Sequence, residues 1–97
     1  MDKELPADLD SAINQAAAVL KAAGAEAVYL FGSSVKGTTR PDSDIDLAVT
    51  GLPPAKFFPV MGQLQFILPR PFDLVDLDVD TPFTRYLRQK GNLRRVA

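Results

Sequence analysis

Gly32 and Ser33, then ten residues, then Asp44, Ile45 and Asp46 make up the segment GSSVKGTTRPDSDID, where side chains able to do chemistry are most concentrated. A glycine reaches backbone angles closed to other residues and lets a phosphate approach closely. Ser33 adds a hydroxyl, and the amides that follow such a turn can form an anion-binding nest. Carboxylates at i and i+2 of a strand project from one face, about 6.5 Å apart along the chain, so Asp44 and Asp46 can chelate one divalent ion or share two. Without metal such a pair repels by about 2–3 kcal/mol at ~6 Å and an effective dielectric of about 20, which selection for stability alone would avoid. A phosphate-holding turn beside a metal site is what nucleotide transfer requires. With each residue type at roughly 7% of positions, the four fixed positions match by chance on the order of 10⁻⁵ per start, about one in a thousand over the chain.

Other phosphate sites are excluded by pattern. The chain has no GxxxxGK[ST] run, no lysine beside Ser33 and no GxGxxG, so neither a P-loop nor a dinucleotide fingerprint is present. Lys36 and Arg40 lie between the two halves of the motif, placed either to reach triphosphate oxygens or simply to be solvated. The sequence contains no cysteine and no histidine. Any metal is therefore held by oxygen, which points to Mg²⁺ or a similar hard ion rather than zinc.

The elements that must position these residues alternate along the chain. Residues 7–23 read as an amphipathic helix, with Leu9, Ile13, Ala16 and Leu20 in one stripe and Gly24 as its stop. Ala27 to Phe31 is a short buried strand that runs into Gly32, and residues 33–43 are turn-rich. Asp44 to Val49 alternates acidic or small residues with Ile45, Leu47 and Val49, the pattern of a half-buried strand. After Gly51, Pro53 and Pro54 a helix is expected to about Leu68, with Pro59 either in its first turn or kinking it. Phe72 to Leu77 reads as a third strand and Thr81 to Lys90 as a last helix, followed by a short edge strand. The expected fold class is α/β (α+β): one domain over residues 1–97, with a mixed sheet of three to four strands and helices packed on it.

Composition agrees with a globular domain: 97 residues, 46% hydrophobic and 24% charged. No apolar run approaches the ~18 residues of a membrane span, and the acidic start MDKELPADLD is unlike a signal peptide, so a cytoplasmic protein is expected. Net charge is −1, but Asp73, Asp76, Asp78 and Asp80 precede a tail carrying Arg85, Arg88, Lys90, Arg94 and Arg95. That tail either balances the acids before it or meets phosphate or an acidic partner. No basic patch interleaved with aromatics is present, so direct nucleic-acid binding is not expected.

The stretch GSSVKGTTRPDSDIDLAV resembles the signature of the DNA polymerase beta-type nucleotidyltransferases, and nearly the whole chain resembles their minimal nucleotidyltransferase (MNT) domain. The resemblance implies a third carboxylate on a later strand, which FDLVDLD places at Asp73, with Asp76 as competitor. It further implies that Asp44, Asp46 and Asp73 are catalytic and hold two Mg²⁺ ions, and that Gly32 and Ser33 fix the terminal phosphates of ATP. Lys36 and Arg40 would assist in nucleotide binding. In-line attack of an acceptor hydroxyl on the α-phosphorus would then release pyrophosphate.

For the acceptor, the minimal family implies a small helical protein of the HEPN class encoded nearby. That partner is a ribonuclease toxin, silenced when AMP is moved to a tyrosine, so the expected role is antitoxin. A small-molecule (aminoglycoside-type) nucleotidyltransferase and a non-catalytic binding antitoxin are the alternatives. One feature of the residues bears on a partner: Phe57, Met61, Leu64 and Leu68 form a stripe on the third helical segment, while Phe58 and Phe66 fall off it. Such a helix is either covered on every side or presents an apolar patch to a second chain.

Overall fold

Residues 7–31, 45–69, 71–90 and 93–97 are described by the structure, a computed structural model. Helix α1 (Ala7–Ala22) buries Ile13, Ala16, Ala17 and Leu20, the i, i+3, i+4, i+7 spacing of one face. It stops where the sequence predicts. Ala25 N–H donates to the Leu20 carbonyl at 3.0 Å and Gly24 N–H to that of Lys21 at 3.0 Å. This is the paired closure that a residue of positive φ permits at a helix end, and Gly24 has φ +119°.

Strands β1 (Ala27–Leu30), β2 (Ile45–Thr50), β3 (Phe72–Asp76) and β4 (Arg94–Arg95) form a mixed sheet in the order β3-β2-β1-β4. β1 is antiparallel to β2 and β4, whereas β2 and β3 are parallel. A parallel pair needs a crossover, supplied by a 3₁₀ turn (Pro54–Lys56) and helix α2 (Phe57–Ile67). Pro59 falls in the first turn of α2, where its missing N–H removes no intrahelical bond. Helix α3 (Pro82–Lys90) precedes β4. Its start is a reciprocal cap: Thr84 N–H donates to Thr81 Oγ1 at 3.1 Å, and Thr81 N–H donates to Thr84 Oγ1 at 2.9 Å.

The sheet divides two cores. Val28, Leu30, Ile45, Leu47 and Val49 pack with Ile13, Leu20, Val60 and Leu64 under α1 and α2. On the other face Phe31, Ala48, Leu77 and Leu87 form a second cluster, reached by Leu87 from α3. β2 is therefore not the half-buried strand its alternation predicts. Ile45, Leu47, Ala48 and Val49 are all buried, because α3 covers the face expected to be open and Ala48 is small enough to lie under it.

α2 meets the core only through its inner side. Val60 and Leu64 are buried, as is Leu68 just beyond the helix end, whereas Phe58 and Phe66 are 88% and 94% exposed. Its outer face is thus the apolar patch, uncovered among the described residues. No helix among the described residues is long and apolar enough to cross a membrane.

Candidate active site

β2 and β3 bring two of the expected carboxylates together. In the parallel register Asp46 pairs with Asp73, and partners on adjacent strands stand about 4.8 Å apart with side chains on one face. Asp46 is half-buried and Asp73 exposed, so the pair sits where the sheet opens to solvent. Phe31 identifies the face. Its N–H donates to the Asp46 carbonyl at 3.1 Å, continuing the antiparallel register of β1, and its side chain belongs to the cluster beneath α3. Against Phe31 lies Phe83 of α3, the ring centroids 5.8 Å apart and the planes at 69°, an edge-to-face contact. This aromatic pair beside the carboxylates is not signalled by the sequence motif; the only hint is that Phe31 continues the pleat of β1 onto the face of Asp46.

Pleating separates Asp73 from its competitor. Asp76 lies three residues further along β3, opposite Val49, and three steps on a strand reverse the face. Its Oδ1 accepts the Asp78 N–H at 3.0 Å, and Asp78 Oδ2 accepts the Gly51 N–H at 2.6 Å. Gly51 turns there with φ +77°. Asp80 meets Arg85 at 2.7 Å, and Arg88 Nη2 donates to the Leu77 carbonyl at 2.6 Å. The acidic run is thereby divided: Asp73 faces Asp46, while Asp76 and Asp78 tie the ends of β2 and β3 together. Arg85 and Arg88 of the basic tail are likewise used in local contacts.

Gly32, Ser33, Lys36, Arg40 and Asp44 lie outside the described residues. The described residues that flank them, Phe31 and Ile45, both stand at the carboxylate end of the sheet, the Ile45 N–H donating to the Pro71 carbonyl at 2.9 Å. Among the described residues there is no cluster of three metal-ligating side chains; Asp44, one of the three expected carboxylates, is not among them. The donors at hand fit a hard divalent cation: two carboxylates on neighbouring strands of one face, in a chain with no histidine or cysteine. A groove lined by Met61, Gln65, Leu68, Pro69, Pro71 and Phe72 borders the start of β3. None of these described lining residues is titratable, and Phe72 lies on the face opposite Asp73.

Three comparisons bear on this arrangement. A family model described as "Polymerase beta, Nucleotidyltransferase" matches residues 14–93. No curated protein matches the sequence significantly. Among solved structures, the chain is similar to one described as the crystal structure of the toxin-antitoxin with AMP-PNP, at 25% identity and a TM-score of 0.67. The alignment covers 89% of this chain and 70% of that one.

Proposed function

The chain belongs to the polymerase beta nucleotidyltransferase family, and we propose that it is an antitoxin that moves AMP from ATP to a tyrosine hydroxyl of a HEPN-type toxin. The observation that carries this reading is the pairing of Asp46 with Asp73 on one solvent-facing end of the sheet, immediately beside Phe31, the residue before Gly32. The similar toxin-antitoxin structure with AMP-PNP supports both an adenine nucleotide as donor and a toxin as partner.

In this reading Asp44, Asp46 and Asp73 hold two Mg²⁺ ions, which when bound offset charge on the attacking and leaving oxygens. Ser33 and the backbone at Gly32 hold the terminal phosphates, with Lys36 and Arg40 reaching the same oxygens. Asp73, the exposed member of the pair, takes the proton of the attacking hydroxyl. A bond forms between that oxygen and the α-phosphorus, the bond to the bridging oxygen breaks, and pyrophosphate leaves.

The test is label transfer. The protein is incubated with Mg²⁺, α-phosphorus-labelled ATP and the product of the adjacent gene, with an Asp46→Asn/Asp73→Asn variant alongside. Label on the partner that vanishes with the variant is the expected result. No protein labelling under any of the four nucleotides, with a labelled small molecule instead, would overturn the protein acceptor. A variant that silences the toxin as well as the natural chain would overturn catalysis as the means of silencing.

A further inference from the structure

The outer face of α2 is built symmetrically about one glycine. At 100° per residue, Gly62 lies opposite the buried pair Val60 and Leu64, so it marks the centre of the exposed side. Phe58 and Phe66 stand four residues to either side, 88% and 94% exposed. A glycine in a helix interior is unfavourable by about 1 kcal/mol relative to alanine. Nothing among the described residues explains this one, because a Cβ built on Gly62 would meet none of their atoms within 4 Å.

We infer that this face is a homodimer interface, in which α2 of one copy packs antiparallel against α2 of a second copy about a two-fold axis at Gly62. A two-fold contact must present the same patch twice, and the spacing Phe58-Gly62-Phe66 reads the same in both directions. Phe58 of each copy lies against Phe66 of the other, and the paired glycines let the backbones approach between the rings. Charge is compatible as well: α2 has no charged residue from Phe57 to Ile67, so a second copy brings no like charges together. Four phenylalanines at these exposures, each with about 200 Å² to bury, supply roughly 700 Å² between them. The exposed Pro59 and Gln65 at the margin add to this, toward the ~1,200 Å² lower limit of specific interfaces. Association in the micromolar range is the expected strength.

The inference does not depend on the proposed function, and its test reads mass rather than activity. Sedimentation of the full chain between about 1 and 100 μM should show conversion from monomer to dimer. Phe58→Glu and Phe66→Glu, at positions already in solvent, should each weaken dimerisation by at least about 100-fold while leaving circular dichroism unchanged. Gly62→Leu separates a packed contact from general stickiness. It makes the face more apolar, yet it should abolish the dimer by wedging the helices apart. A chain that stays monomeric at the highest concentration overturns the inference. So does a dimer that survives both glutamates, or one strengthened by Gly62→Leu. If the chain is monomeric and the glutamates instead release a different co-purified protein, the face belongs to that protein and the second copy is excluded.

Discussion

Replacing Asp73 by Asn should make the metal-free protein more stable while abolishing transfer, a combination that structural residues do not give. Asp73 and Asp46 are register partners on one face, and carboxylates standing straight out from adjacent strands would be about 5–6 Å apart. Two unit charges at that distance repel by about 3 kcal/mol at a dielectric of 20 and by under 1 kcal/mol in bulk water. Asp73 is exposed and Asp46 half-buried, so screening places the pair toward the lower figure, about 1 kcal/mol. For a domain of this size that corresponds to a melting temperature higher by roughly 4–8 °C. The control is Asp78→Ala, which removes the acceptor of the 2.6 Å bond from Gly51 N–H and should lower stability by about 1 kcal/mol. Thermal unfolding in chelator, followed by the same scan with Mg²⁺ and ATP, reads both effects. Ligand at about 100 times its dissociation constant should stabilise the natural chain by about 2.7 kcal/mol and Asp73→Asn by much less. Asp76→Asn, on the opposite face, should keep transfer. The reasoning fails if Asp73→Asn melts lower than the natural chain in chelator, or if Asp76→Asn loses transfer while Asp73→Asn retains it.

Three further outcomes concern the scaffold and are read by thermal or denaturant unfolding. Thr84→Val keeps the shape of the side chain, 4% exposed, but strands the Val79 carbonyl, which accepts from Thr84 Oγ1 at 2.7 Å, and the Thr81 N–H. It should lower stability by about 2 kcal/mol. Leu64→Ala empties the fully buried position where α2 meets the sheet and should lower stability by about 2–5 kcal/mol. Gly24→Ala forces a side chain onto φ +119° with its Cβ 3.2 Å from Pro53 Cδ, and a loss of about 1–3 kcal/mol is expected.

The parts of the fold set by local rules were legible in the sequence. The stripe of Ile13, Ala16 and Leu20 and the stop at Gly24 specify α1 and its end, whereas Pro59 allowed either a helix start just before it or a kink, and the structure shows the start. What local patterns do not carry is partnership between distant segments. Alternation in β2 predicts one open face, and only the return of α3 over Ala48 closes it. Asp73 and Asp76 are equivalent as sequence; register separates them, and register is fixed by the pairing of β3 with β2. The choice between a covered α2 and an apolar patch likewise turned on whether another element reaches Phe58 and Phe66. The motif from Gly32 to Asp46 was the clearest functional signal, yet the one of its four fixed positions described by the structure, Asp46, is paired with Asp73, twenty-seven residues away.

On the two readings proposed above, catalysis and association fall on opposite faces of the sheet. α2 packs Val60 and Leu64 onto the side that carries Ile45, Leu47 and Val49, whereas Asp46 and Asp73 lie on the side of Phe31 and Ala48. Between the carboxylates and the outer surface of α2 stand the sheet and a helix about 10 Å across. Two copies joined through Gly62 would therefore carry their sites on outward surfaces, each open to a separate acceptor. Phe58→Glu should lose the dimer and keep the rate of label transfer per chain within about two-fold, since no group near the phosphates is altered. Asp73→Asn should lose transfer and keep the dimer. If Phe58→Glu reduces transfer as severely as it reduces dimerisation, the acceptor is bound across both copies and this separation is wrong.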